Sequence, residues 1–208
     1  SKNNAINHLT IKNAEIGLFV EGQENEAEET LTITNSRIFN SATYNLWTKN
    51  ANVIATNIIL GGAGNSSLFI ENGGHYLFTH ATIANYWNKG FRFNASLVIS
   101  NSSITVPNSG FDLLAADFKN CIIDGNSSNE ISLQSNNQNS FNFSFQNCYI
   151  KFNENQSSTE NNIFYDFESD VHYPNVILNG ELDYFQPFDN DFRIGLDSEV
   201  INKGDLNT

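Results

Sequence analysis

Charge is scarce in this chain of 208 residues: Asp, Glu, Lys and Arg together make up 16% of it. Solubility therefore rests on Asn, Ser and Thr, with 35 Asn alone. That is the surface of a β-solenoid rather than of helices, whose outer faces carry Glu, Lys and Arg. Basic residues are scarcest, ten against 23 acidic ones, for a net charge of -13. Phosphate backbones are bound through Lys and Arg, so nucleic acid is not an expected partner. An anionic polysaccharide is repelled unless a divalent cation bridges it. No run approaches the roughly 18 apolar residues of a membrane span, and no signal peptide is present, so no membrane insertion is expected. Cysteine is limited to Cys121 and Cys148.

What is abundant is a repeat. An asparagine recurs about every 22 residues in one frame, apolar-x-apolar-x-Asn-small-x-Ile/Leu. It is read at Asn13 in LTIKNAEI, Asn35 in LTITNSRI, Asn57 in VIATNIIL, Asn101 in LVISNSSI, Asn120 in ADFKNCII and Asn147 in FSFQNCYI. YLFTHATI places His80 in the same slot. The period is too short for an α/β unit with a crossover helix, and a β-rich array of this period is a solenoid. The left-handed backbone of a tight corner suits Asn, and its amide can bond the next corner, so the column is expected to form a ladder.

Alternation assigns the faces of each strand. Inward pairs are Leu9 and Ile11, Leu31 and Ile33, Val53 and Ala55, Tyr76 and Phe78, Leu97 and Ile99, and Phe143 and Phe145. A second strand follows in GLFVEG, NLWTKN, SLFIEN, GFRFNA, GFDLLA and EISLQS, with Leu18, Leu46, Leu68, Phe91, Phe111 and Ile131 inward, then Val20, Thr48, Ile70, Phe93, Leu113 and Leu133. Cys121 and Cys148 each follow a ladder asparagine, so they are expected in adjacent rungs about 4.8 Å apart, a separation at which a disulfide is possible. Two reduced cysteines filling small interior sites is the simpler expectation.

With three short strands per turn and an Asn ladder, the chain resembles the right-handed parallel β-helix of the pectate-lyase-like superfamily. The resemblance covers residues 8 to about 150 and implies an all-β solenoid of seven or more coils. Residues 1–150 are expected to be parallel β-helix coils, and residues 151–208 the final coils and C-terminal cap of the same domain. The tail is similar to the closing segment of secreted bacterial β-helix proteins, an Asp-Phe-Arg-Leu-like stretch and then Ser-x-x-Ile-Asn/Asp-x-Gly-Asp. Here the match is Asp191, Phe192, Arg193 and Ile194, then Ser198, Ile201, Asn202, Gly204 and Asp205, with Glu199 in place of the usual Pro. Phe188, Phe192, Ile194, Val200 and Ile201 are expected to seal the interior. The chain opens at a rung, so it is expected to be part of a longer polypeptide, extracellular or on the cell surface.

The resemblance implies a site on the outer face of one sheet. The outward row of the second strands reads Phe19, Trp47, Phe69, Arg92, Asp112 and Ser132, and the next reads Glu21, Lys49, Glu71, Asn94, Leu114 and Gln134. Flat rings at strand spacing make a platform for sugar faces, unless loops such as 41–44 or 61–65 fold over them. Arg92 beside Asp112 is the one compact charged constellation. Arg92 could neutralise a uronate carboxylate in a lyase, but a glycosidase needs two carboxylates, and a cross-rung salt bridge is the plainer reading. The acidic loop Glu21, Glu24, Glu26, Glu28 and Glu29 leaves calcium possible, yet it lacks the Asp/Asn-Gly turns of calcium loops and reads as solvated. His75 and His80 fall on different parts of the coil, and His172 near Asp170 is too slight for a metal or catalytic pair. Asn-x-Ser triplets at Asn65, Asn94, Asn101, Asn126, Asn142 and Asn155 follow from composition. The expected function is a scaffold contacting cell-surface glycan or another surface. A polysaccharide lyase or glycoside hydrolase at Arg92 and Asp112, and a plain structural spacer, are the alternatives.

Overall fold

The computed structural model describes residues 2–23, 28–106, 109–153 and 163–208. Glu24, Glu26 and Asn155 lie outside them, as does most of the polar stretch after Lys151. The chain is all-β, 51% strand and 3% helical, with a parallel sheet that curls through 310° into an open half-barrel. No helix among the described residues is long and apolar enough to cross a membrane.

Register sorts the strands into three columns. The first stacks Asn4–Asn7 on 31–34, 53–56, 76–79, 116–119 and Ser144–Gln146. The second stacks Thr10–Lys12 on 37–39, 59–61, 82–84, 122–124, Tyr149–Ile150 and Ile177–Leu178. The third stacks Ile16–Glu21 on 44–49, 66–71, Leu97–Ser100 and Ile131–Gln134. Alternation puts Leu31, Ile33, Val53, Ala55, Tyr76 and Phe78 inside, all buried. The interior is a column of rings: Phe78 stacks on Phe118 at 5.1 Å and 10°, Phe118 on Phe145 at 4.9 Å and 13°, and Phe145 on Tyr173 at 5.6 Å and 6°. Such offset stacks add about 0.5–1.5 kcal/mol each beyond the area they bury.

The corner between the first two columns falls at His8, Asn35, Asn57, His80, Asn120, Asn147 and Asn175, and all seven are left-handed, with φ between 50° and 58°. Two other residues of the expected ladder lie elsewhere. Asn13 is left-handed but stands level with Asn40, at the end of the second column, because Ile11 pairs with Ile38 and not with Ile33. His8 takes the corner instead, since its neighbours Asn7 and Thr10 pair with Thr34 and Arg37. Asn101 follows a third-column strand, since Leu97 pairs with Leu68 and Ile131. It is buried and its amide donates to the carbonyls of Asn139 and Ser140. His80 and Asn120 are thus successive corners, and Ala81 N–H faces Cys121 Sγ across 40 residues of chain. The motif misled because LVISN carries the right alternation for either column.

Side-chain amides link only part of the corner. Asn57 donates to Asn35 at 2.7 Å, and Asn35 donates to Asn7 at 3.1 Å. Farther along, the C-terminal tail takes over. Asn120 Nδ2 donates to the carbonyl of Asp205 at 3.0 Å and its Oδ1 accepts from Asp205 N–H at 2.8 Å, while His80 Nε2 lies 3.3 Å from the carbonyl of Thr208.

The tail is not the expected plug. None of Phe188, Phe192, Ile194, Val200 and Ile201 belongs to the central core. Phe188 and Phe192 instead contact Tyr86, and Asn190 reaches Asn40, so residues 182–192 lie as a strap along the outside of the second column. Gly61 is required beneath the strap, since a Cβ there would sit 2.6 Å from the Phe192 ring. The aromatic residues that join the core at this end are Phe164, Tyr165, Phe167 and Tyr173, packed on Phe141, Phe143 and Phe152.

Cys121 and Cys148 are buried free thiols in adjacent rungs, where Cys121 N–H donates to Cys148 Sγ at 3.4 Å. Burial, followed by the contact with Cys121, holds the Cys148 thiol well above its ordinary value. Both thiols are expected to resist a neutral-pH thiol reagent in the native protein and to react in denaturant; rapid native labelling contradicts this. Asn35→Leu puts a side chain unsuited to φ 50° at an exposed corner and breaks two amide contacts. It should cost about 1–3 kcal/mol in denaturant titration, with Asn35→Gly less harmful because glycine keeps the backbone conformation.

Candidate functional site

Alternation in the third column turns Leu18, Leu46, Leu68, Leu97 and Ile131 inward, which leaves the intervening positions outward. The outward row is Phe19, Trp47, Phe69, Val98 and Ser132. Phe19 and Trp47 lie 4.7 Å apart, Trp47 and Phe69 6.1 Å, and Tyr44 adds its ring 5.3 Å from Trp47 and 5.2 Å from Phe69. The row is open at one end and roofed at the other. Phe19 is 45% exposed, while Phe69 keeps 5% beneath Ala95 and Val98.

The indole is oriented from below. Trp47 Nε1 donates to Glu71 Oε2 at 3.0 Å, and Glu71 Oε1 accepts from Ile104 N–H at 2.9 Å. Glu71 is fully buried, so its carboxylate is committed to ring position and to the loop after Asn101. Glu21 and Lys49 form a partly exposed pair at 3.4 Å, of little energetic weight.

Arg92 and Asp112 are not in the row. Residues 86–95 form a loop, so Val98 takes the place next to Phe69. Arg92 turns in and forms a bidentate pair with Glu130, at 2.7 and 2.6 Å, and also donates to Asn126, Ser127 and the carbonyl of Asn94. Glu130 in turn accepts from Ser96 N–H and Oγ and from Ser127 N–H. Both charged side chains are out of solvent, 3% exposed for Arg92 and 0% for Glu130. Asp112 serves elsewhere, accepting from Ser140 N–H at 2.7 Å. Arg92 is committed to structural partners through both terminal nitrogens, Asp112 holds the backbone of Ser140, and no ion pair joins the two among the described residues. The sequence carried no sign of Glu130 as the partner, since the pairing spans 38 residues.

With Arg92 facing in, its neighbours face out. Phe91 and Phe93, expected inside, are 90% and 89% exposed. The loop that carries them is held at several points: Arg92 to Glu130, Asn94 to Asn65 at 2.5 Å, and the Trp87 carbonyl to Asn126 at 3.0 Å. Its Ala95 is the residue that roofs Phe69. The Phe pair is therefore carried by the same anchored loop that covers one end of the aromatic row.

The remaining candidates resolve simply. His172 stacks on Phe143 at 4.4 Å with Nδ1 3.0 Å from the Phe143 carbonyl, a packing role without Asp170. His75 and His80 are exposed. Glu28 of the acidic loop lies 3.7 Å from Lys2. Among the described residues no group of three or more His, Cys, Asp or Glu is placed to hold a metal ion.

Removing Arg92 leaves a buried, uncompensated carboxylate, a change that costs about 3–5 kcal/mol. Arg92→Met should show a loss of that size in denaturant unfolding, and adding Glu130→Gln should recover part of it. Equal losses in the single and double variants contradict the coupling.

Comparisons with protein-family models, with curated proteins and with solved structures find no match to this chain.

Proposed function

We propose that the curled parallel sheet is a right-handed parallel β-helix similar to the pectate-lyase-like superfamily, and that it serves outside the cell and contacts glycan through its third column. The observation that carries this reading is the pair Phe91 and Phe93, exposed on a loop that is fixed by a buried ion pair and that packs its Ala95 on Phe69 of the aromatic row. Each ring left in water forgoes about 1.5–3 kcal/mol of burial. A rigid aromatic surface binds sugar faces with little ordering cost. The net charge of -13 favours neutral glycans over anionic ones.

A plain spacer leaves the exposed Phe pair without a role. A lyase or hydrolase centred on Arg92 and Asp112 has no supporting geometry, because both side chains are engaged by structural partners.

A glycan array combined with a polysaccharide depolymerisation assay, each with and without Ca²⁺, tests the reading. Neutral glycans should bind without product formation. Phe91→Ser/Phe93→Ser should weaken binding about tenfold or more, equivalent to about 1.4 kcal/mol, with no loss of thermal stability, because neither ring is buried. Product formation, or binding indifferent to the double substitution, rejects the proposal.

A further inference from the structure

We infer that a second ligand site lies on the outside of the second column, and that it takes a neutral polyhydroxylated ligand of monosaccharide size. Ile123 and Ile150 point into the core, so alternation turns Asp124, Tyr149 and Lys151 outward. The segment after Leu178 passes over them, and between the two lies a cavity of about 340 Å³, lined by those three residues with Tyr86, Glu181, Asp183 and Tyr184 among others. Ligand pockets begin at about 300 Å³, which sets the scale to one sugar ring.

The polar groups converge on Asp124. Tyr86 donates to its Oδ2 at 2.5 Å, and Lys151 Nζ stands 4.0 Å from its Oδ1 while donating to the Gly125 carbonyl at 2.6 Å. Tyr149 donates to the Gly180 carbonyl at 3.0 Å. One phenol is left over: the Tyr184 hydroxyl is buried and has no hydrogen-bond partner among the described residues. Buried hydroxyls are nearly always satisfied, so an orphan at the wall of a polar cavity marks a position for an outside acceptor. Burial first, and then the charge of Asp124, hold the Tyr184 and Tyr149 phenols above their ordinary values, so both remain donors.

The mixture of groups selects the ligand class. Asp124, Glu181 and Asp183 accept hydrogen bonds and repel an anion, Lys151 offsets part of their charge, and among the described residues no three carboxylates are grouped to hold a metal ion. Tyr184 and Lys151 donate, so the ligand must offer acceptors and donors within one small neutral body. Neighbouring hydroxyls on a sugar ring do both, and the ring of Tyr86 supplies an apolar wall.

The site is separate from the aromatic row, and its test keeps the two apart. Ligand-observed NMR and calorimetry would use glucose, galactose and mannose, with galacturonate and tetramethylammonium as charged controls. At least one neutral sugar should bind. Its affinity should fall about tenfold in Tyr184→Phe, which keeps the ring and should not lower the melting temperature, and should be unchanged in Phe91→Ser/Phe93→Ser. The inference is overturned if no neutral sugar binds, if only a charged control binds, or if Tyr184→Phe binds as the parent does. Loss of sugar binding in the Phe91/Phe93 variant alone would place the sugar on the aromatic row and equally overturn it.

Discussion

The left-handed corner between the first two columns is the constraint on which the rest depends. Seven residues from His8 to Asn175 repeat one backbone conformation, and each starts a second-column strand at the same height relative to its neighbours. A parallel ladder tolerates no slip of one residue, because a slip would turn every inward side chain to the outside. Holding the corner therefore holds the ring stack of Phe78, Phe118, Phe145 and Tyr173 in line. Asparagine fits because it accepts the backbone geometry at small cost, and its amide serves whatever lies beside it. Near Asn35 that is another asparagine; at Asn120 it is the C-terminal tail.

Because the corners are fixed, variation collects in the connections after the second and third columns. The connections that contain residues 86–95, 101–106 and 109–112 lie between successive corners at His80 and Asn120 and lengthen that step to 40 residues. The first packs Ala95 on Phe69, buries Arg92 against Glu130 and leaves Phe91 and Phe93 in solvent, and the second ties Ile104 to Glu71 beneath Trp47. The strap formed by the tail does the equivalent on the second column, turning an outer strand face into the wall of a cavity. Both candidate surfaces are therefore made by irregular chain laid over a regular sheet, the usual division between scaffold and function.

Much of the repeat was legible from the chain itself. Alternation around Leu31, Val53 and Tyr76 and the corner frame at Asn35, Asn57, Asn120 and Asn147 are local signals, since side-chain direction in a strand and the cost of left-handed backbone depend on a few neighbouring residues. The same local character produced the errors. LVISN at Asn101 and LTIKN at Asn13 satisfy the motif as well as the true corners do, and nothing in eight residues tells one column from another. GFRFN alternates as a strand should, yet its arginine found a buried carboxylate 38 residues away, and that pairing set which side faced water.

A β-rich repeat with an apolar alternating interior, few cations and left-handed corners at asparagine follows from the residues alone, because those properties are written in short-range periodicity and composition. Which repeat stacks on which, the pairing of Arg92 with Glu130 rather than Asp112, and the course of the tail outside the sheet instead of across its end emerge with the three-dimensional packing. Those outcomes are set by contacts between residues distant in the chain. Burial of charge and packing of rings choose among alternatives there that local preference leaves equal.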